Sequence, residues 1–287
     1  MEIKFLNTSH NYEGLGRGDF VAAIKNINLT IESKDEFVAI VGKTGSGKST
    51  LVEHMNGLLL PTDGAVDILG SVFTNKKRKN PRLLPVRKKV GFVFQFPEYQ
   101  LFEETCLKDI MFAPKNFGFK DKEARARALE AAKLVGIDQR ILNKSPFNLS
   151  GGQMRKVAIA GILAYNPDVL LLDEPTRGLD PKGMKDVMDL FKKIQTKMHK
   201  SVVLISHSMD NVYEYATRVV VMNDGSVAYD GNKYDLFKSG LYKDLHLEKP
   251  AVLKAVDYLN EKLGLNLDYD IYTLTDLENK LREVYHE

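Results

Sequence analysis

The chain has 287 residues, enough for one large α/β domain with an appendage or for two small domains. Hydrophobic residues make up 44% and charged residues 28%, the balance of a soluble globular protein, and a net charge of +3 is too small to argue for nucleic acid. A single cysteine, Cys106, excludes an intrachain disulfide and a cysteine-based metal cluster, and fits a reducing compartment.

From the start, Met1–Phe5 runs straight into strand-like alternation, so no signal peptide is expected. No apolar run nears the roughly 20 residues that a membrane span needs. Residues 2–37 read as β-rich, with alternation in Glu2–Leu6 and Ile24–Ile31. Between them Asn11–Gly18 reads as a glycine-rich loop. Its Tyr12 has two readings, an aromatic platform for a purine or a residue packing its own loop.

Phe37–Val41 is an apolar, β-branched run that predicts a buried strand. Gly42-Lys43-Thr44-Gly45-Ser46-Gly47-Lys48-Ser49-Thr50 follows and matches the G-x-x-x-x-G-K-[ST] phosphate loop without departure. A helix from Ser49 to Asn56 comes next. Strand, glycine loop and helix together make a phosphate site. Bare backbone N–H groups point at phosphate oxygens, and the helix start adds its positive dipole end. Lys48 would reach the β- and γ-phosphates, and Ser49 would offer a hydroxyl to Mg2+.

Pro61–Gly64 reads as a turn and Ala65–Leu69 as a short strand. The basic run Lys76-Lys77-Arg78-Lys79, Arg82 and Arg87-Lys88-Lys89 reads as a solvated loop, since no aromatic is interleaved for stacking on bases. Val90–Phe94 is a buried strand ending at Gln95, and Phe96–Phe102 breaks regular structure. Residues 105–165 read as mainly helical. Lys120–Val135 carries an apolar stripe of Ala124, Ala128, Ala131, Ala132 and Val135 that suits packing.

Leu149-Ser150-Gly151-Gly152-Gln153 opens a helix that runs to about Tyr165, with Ser150 as N-cap. Two glycines inside a helix start weaken it, so bare N–H groups are wanted there, and an anion is the expected ligand. Asp168–Pro175 predicts a buried strand that delivers Asp173 and Glu174 at its C-terminal end, the edge where open α/β sheets bind ligands. Asp173 suits Mg2+, and Glu174 suits polarising a water beside the γ-phosphate. Thr176–Pro181 reads as a tight loop. Ser201–Ser206 is another buried strand, with His207 past its end on the same edge. Val219–Met222 and Ser226–Tyr229 flank Asn223-Asp224-Gly225, a hairpin turn signal. Residues 232–287 carry helical patterns at Ala251–Leu263 and Asp276–Tyr285 and no chemical motif.

Taken in order, the Lys48 loop, Gln95, Leu149–Gln153, Asp173-Glu174, Asp180 and His207 resemble an ATP-binding cassette (ABC) nucleotide-binding subunit over about residues 1–231. Val90–Thr105, Gln153–Gly161 and Ser206–Asp210 are similar to the ATPase of energy-coupling factor (ECF) transporters. Phe96–Thr105 and the tail segment Ile271–Leu277 resemble its second paralogue, the A-prime type. The resemblance implies a P-loop, RecA-like core, an N-terminal antiparallel β subdomain, a helical signature subdomain at about 96–165 and a small C-terminal helical domain at 232–287 that contacts a partner.

It implies ATP and Mg2+ as ligands and two ATPases facing head to tail. ATP on Gly42–Thr50 of one is completed by Ser150, Gly151, Gly152 and Gln153 of the other. Catalysis falls to Glu174, His207 and Gln95, the metal to Ser49, Gln95 and Asp173, and adenine stacking to Tyr12. Arg177 stands where a small residue is commoner. A paralogous ATPase, or else a second copy, a membrane-embedded coupling subunit and a substrate-binding membrane protein are the implied partners, with no nucleic acid. The chain would sit peripherally on the cytoplasmic face of the cell membrane and power uptake of vitamins or other micronutrients. The alternatives are a cobalt, nickel or other ABC importer and a soluble ABC ATPase acting on nucleic acid or ribosomes. About a hundred residues between phosphate loop and signature, without sustained heptads, leave no room for the coiled coil of DNA-repair members.

Overall fold

The computed structural model describes residues 2–13, 19–32 and 35–285. Strands β1 (Glu2–Glu13) and β2 (Phe20–Glu32) pair antiparallel, and β4 (Asp63–Ile68) and β5 (Ser71–Thr74) extend them to a four-stranded antiparallel sheet in the order β2-β1-β4-β5. The second sheet runs β10-β9-β3-β8-β7-β6, with β3 (Phe37–Val41), β6 (Val90–Val93), β7 (Val169–Asp173), β8 (Ser201–Ile205), β9 (Arg218–Asn223) and β10 (Ser226–Asn232). It is parallel from β9 to β6, and β10 joins antiparallel through the hairpin. Asp224 and Gly225 both take positive φ, as a tight hairpin turn demands.

The parallel strands are mainly apolar because both faces are covered, with polar residues at the ends of β7, β8 and β9. In β3, Phe37, Ala39 and Val41 enter one core and Val38 and Ile40 the other. The second core lies between the two sheets and includes Leu51, Val52 and Met55 of α1 (Lys48–Met55). The first lies under the helices. There the alanine stripe of α4 (Asp121–Leu134) packs with α3 (Cys106–Asn116) and α5 (Gly151–Leu163), as the sequence predicts.

Three sequence expectations need correction. Asn11, Tyr12 and Glu13 belong to β1, with Tyr12 opposite Val21, and are not part of a loop; residues 14–18 lie outside the described residues. The basic run is a 3-10 turn at Lys77–Lys79 followed by α2 (Leu83–Lys89). Pro85 sits in the first turn of α2, where a missing N–H breaks no hydrogen bond. Lys76, Arg78, Lys79 and Arg82 are exposed, as a solvated segment requires. The third is a helix the sequence reading passed over, α6 (Pro181–Met198). Its start is written in Asp180, whose Oδ1 accepts from Gly183 N at 2.9 Å, and in Pro181 at the first helical position.

Helices α7 (Met209–Tyr215), α8 (Lys233–Lys238), α9 (Leu241–Asp244), α10 (Ala251–Leu263) and α11 (Leu274–Tyr285) close the chain. The C-terminal helices share the first core. Val252, Leu253, Val256, Ile271 and Leu277 pack in one cluster with Met209, Val212 and Tyr213. Leu253 is fully buried there. Leu253→Ala should therefore destabilise the fold by about 2–5 kcal/mol. In urea unfolding the midpoint should fall at unchanged slope; an unchanged midpoint would mean that the C-terminal helices do not share the core's stability.

Candidate functional site

The C-terminal ends of β3, β6, β7 and β8 open on one edge of the parallel sheet, and the site residues leave from there. The phosphate loop joins β3 to α1. Gly42 and Gly47 have φ of 140° and 97°. A Cβ on Gly42 would stand 2.1 Å from Met222 O, and one on Gly47 2.4 Å from Ala23 O. Only glycine fits either place. No side chain caps α1, whereas Thr105, Ser150, Asp180 and Ser208 cap α3, α5, α6 and α7. The uncapped start leaves first-turn N–H groups to an anion.

Lys48 is buried, and its Nζ donates to Gly42 O at 2.8 Å and Lys43 O at 2.7 Å. Burial pushes its pKa down, while the charges of Glu174 and Asp173 push it back up. Ser46 Oγ is buried without a hydrogen-bond partner, a polar atom inside the loop with capacity to spare. Ser49 is exposed. Tyr12 reaches the same helix, its hydroxyl 3.2 Å from Thr50 Oγ1 and its ring edge-on to His10 at 4.8 Å. This fixes the ring while leaving it 41% exposed.

Asp173 ends β7, paired in register with Ile205 of β8. Burial and the neighbouring Glu174 charge raise its pKa, against the lowering pull of Lys48 and His207. Glu174 then turns out of the strand with φ of 45°, a left-handed conformation costly for a non-glycine residue. Its N–H still donates to Ile205 O at 3.1 Å, so only the side chain is thrown off the sheet edge. Gln95 Nε2 donates to Glu174 Oε2 at 3.3 Å, and His207 Nε2 lies 3.1 Å from Oε1. The three residues named for catalysis from the sequence thus meet at one carboxylate.

Arg177 stands at the same carboxylate, with Nη1 3.6 Å from Glu174 Oε2. This gives a place to a residue that the sequence left without one. A second residue passed over is Arg155. It is buried and forks onto Glu98, with Nε to Oε2 at 2.9 Å and Nη2 to Oε1 at 2.7 Å. Its Nη1 donates to Pro175 O at 3.3 Å and Arg177 O at 2.9 Å.

The signature lies apart from this cluster in the chain, at the start of α5. Ser150 Oγ accepts from Gln153 N, and Gln153 Oε1 accepts from Ser150 N at 3.1 Å, a complete capping box. Gly151 and Gly152 stay outside the box and are exposed. A Cβ on either would meet nothing within 4 Å. Among the described residues, no steric contact therefore requires glycine there.

Beside the site, α2, β6 and α3 border a cleft of about 430 Å³ lined by Leu84, Phe92, Gln100, Phe102, Phe112 and Tyr165, among others. Leu84 and Phe102 are more than half exposed, and Tyr99 close by is 83% exposed. Among the described residues no helix is long and apolar enough to cross a membrane.

Residues 24–177 match the family model described as ABC transporter. The chain is 46% identical over 264 residues to the energy-coupling factor transporter ATP-binding protein EcfA2 of Bacillus subtilis, covering 92% of this chain and 95% of that protein. It is 44% identical over 289 residues to EcfA2 of Geobacillus kaustophilus, covering 99% and 98%. Among solved structures, cbiO1 from Clostridium perfringens, part of the ABC transporter complex cbiONQ, superposes with a TM-score of 0.73 at 32% identity, over 91% of this chain and 95% of that one. The ATP-binding cassette MJ0796, solved as a dimer in a post-hydrolysis state with ADP and Pi, gives 0.69 at 34% identity, over 80% and 98%. With an intact phosphate loop, signature and strand-end carboxylates beside these likenesses, the chain belongs to the ABC transporter ATPases that bind ATP, and within them to the energy-coupling factor transporter ATP-binding proteins.

Proposed function

We propose that the chain works as one half of a head-to-tail ATPase pair on the cytoplasmic face of the cell membrane, closing on two ATP molecules to drive a membrane-embedded subunit. The observation that carries this reading is the start of α5. Its capping box leaves Gly151 and Gly152 as bare, exposed backbone that no contact among the described residues explains. A partner's triphosphate fits such a surface, and the dimeric form of the MJ0796 cassette supports the arrangement.

Within the chain's own half-site, ATP would stack its adenine on Tyr12, whose hydroxyl is tied to Thr50. Its phosphates would lie on Gly42–Thr50. Lys48 would exchange two carbonyl acceptors for phosphate oxygens, a stronger, charge-assisted pairing. The Ser49 hydroxyl, the Gln95 amide oxygen and the Asp173 carboxylate are hard oxygen donors that suit Mg2+. Bound there, Mg2+ would neutralise charge on the β- and γ-phosphates. Glu174 would take a proton from the attacking water as the new P–O bond forms and the bond to ADP breaks. His207 and Gln95 hold its two oxygens during this step, and His207 would also contact the γ-phosphate.

The cleft beside Phe102 and Leu84 suits the coupling helices of a membrane subunit, since Leu84 and Phe102 stay more than half exposed on its wall even though Phe102 packs edge-on against Phe112. The EcfA2 likeness and the A-prime spelling of Phe96–Thr105 favour a paralogous ATPase as the other half, with a separate membrane protein capturing the vitamin or other micronutrient.

Two substitutions test the half-site. Glu174→Gln should abolish steady-state hydrolysis yet keep ATP binding, so that a closed dimer accumulates in size-exclusion chromatography with ATP. Normal turnover would sink the base assignment. Lys48→Ala should weaken ATP binding by about 1.5–3 kcal/mol, the worth of a charge-assisted contact. Titration with a fluorescent ATP analogue measures this, and unchanged affinity would remove Lys48 from the phosphate grip.

A further inference from the structure

Gln95 and Glu174 leave neighbouring strands, β6 and β7, which are held in register as far as Val93 and Leu172. Beyond that point the sheet no longer fixes their separation. Gln95 Nε2 and Glu174 Oε2 nevertheless meet at 3.3 Å. What joins the two segments is a third element. Arg155 of α5 grips both Glu98 oxygens, three residues past Gln95, and both the Pro175 and Arg177 carbonyls, one and three residues past Glu174.

We infer that Arg155 is a positioning residue for hydrolysis: its guanidinium sets the distance between the Gln95 segment and the Glu174 turn, and ties both to the helix that carries the signature. Geometry supports the assignment. The Arg155 and Glu98 side chains are only 4% and 12% exposed, so the pair is shielded from competing water. Burial works against the charged form of Glu98, and the Arg155 hydrogen bond and charge outweigh it, leaving its pKa below the usual value. A planar fork serves four acceptors at once, which a lysine ammonium with three donors cannot do in the same directions. The Pro175 and Arg177 carbonyls bracket the turn whose backbone aims Glu174, and the Arg177 N–H donates to Glu174 O at 3.1 Å. This turn is therefore pinned from inside and outside.

The inference deepens the proposed half-site and rests on Glu174 as its base. If Ser150, Gly151 and Gly152 engage the partner's nucleotide, the same helix reports that contact to this chain's own carboxylate through Arg155, a few residues on. Nucleotide grip does not pass through Arg155, so its loss should act on turnover and spare binding.

The test is ATPase kinetics on the intact complex purified from membranes, with Arg155→Lys, Glu98→Gln and Glu174→Gln run in parallel and active sites counted by ATP-binding stoichiometry. Arg155→Lys should lower kcat by about 10–100-fold with KM for ATP within about twofold, the loss expected of a misplaced reacting group. Glu98→Gln keeps one acceptor oxygen and should lower kcat in the same sense by less. Should Arg155→Lys fail to fold, Glu98→Gln decides, because it leaves Arg155 and its two carbonyl contacts in place. If kcat of both variants stays near that of the parent while Glu174→Gln is inactive, the inference falls alone. A loss that appears only in KM also overturns it. If Glu174→Gln keeps turning over, the base assignment falls and the inference with it.

Discussion

Gripping a triphosphate with backbone N–H groups is the constraint on which the rest of this chain depends. The loop must curl tightly, and two of its glycines must lie against other parts of the fold. Gly42 abuts the Met222 carbonyl of β9, and Gly47 abuts the Ala23 carbonyl of β2. The loop is thus wedged between the two sheets. Their relative placement is fixed by Val38, Ile40, Leu51 and Val66 in a shared core, so the phosphate site is shaped by packing some distance away. A side chain at either glycine would push a strand, which is why the motif tolerates so little variation in shape.

The second constraint is charge. Asp173 and Glu174 are adjacent carboxylates at a strand end with a buried lysine facing them, and desolvation raises the pKa of Asp173. The Glu174 charge makes Asp173 costlier to ionise. The chain answers with donors around Glu174, namely Gln95, His207 and Arg177, and with Lys48 acting on Asp173. Arg177 enters this set from an exposed loop, at 3.6 Å and through water-accessible space, so its effect is weaker than its formal charge suggests. In the proposed binding mode, ATP phosphates would displace the Lys48 carbonyl contacts and shift the charge balance of the cluster toward the nucleotide.

Most of this was legible in the sequence because each part is local. A strand, a glycine loop and a helix occupy consecutive residues around Lys48, and Ser150 with Gln153 writes its capping box within four positions. Burial on both faces made β3 and the middles of β7 and β8 continuous apolar runs. What stayed hidden depends on contacts across the fold. Tyr12 looked like part of a loop because Asn11 and Glu13 are poor strand formers, yet pairing with β2 holds all three extended. The basic run reads as a solvated loop from its charges, and these hid α2, whose Pro85 sits in a first turn that needs no N–H. Arg177 and Arg155 could not be assigned because their partners lie in turns whose approach no spacing rule predicts. The family resemblance supplied what the residues alone left open, the expected pairing of two subunits.

Arg155 and Glu98 also show why a buried ion pair need not be read as a stabilising device. Taking two charges out of water costs several kcal/mol per ion, and their attraction roughly recovers it, so apolar residues of similar size would often hold the fold as well. Shape is what an apolar replacement would lack. A guanidinium has fixed donor directions, and here they reach a carboxylate on one side and two carbonyls on the other. The elements it joins are the signature helix, the segment after Gln95 and the turn after Glu174. The first would face a partner's nucleotide and the second borders the cleft proposed for the membrane subunit. The third would aim the proposed base. Hydrophobic packing would let these three slide by fractions of an ångström, whereas the fork resists such sliding, and in-line attack on phosphorus is sensitive to displacements of that size.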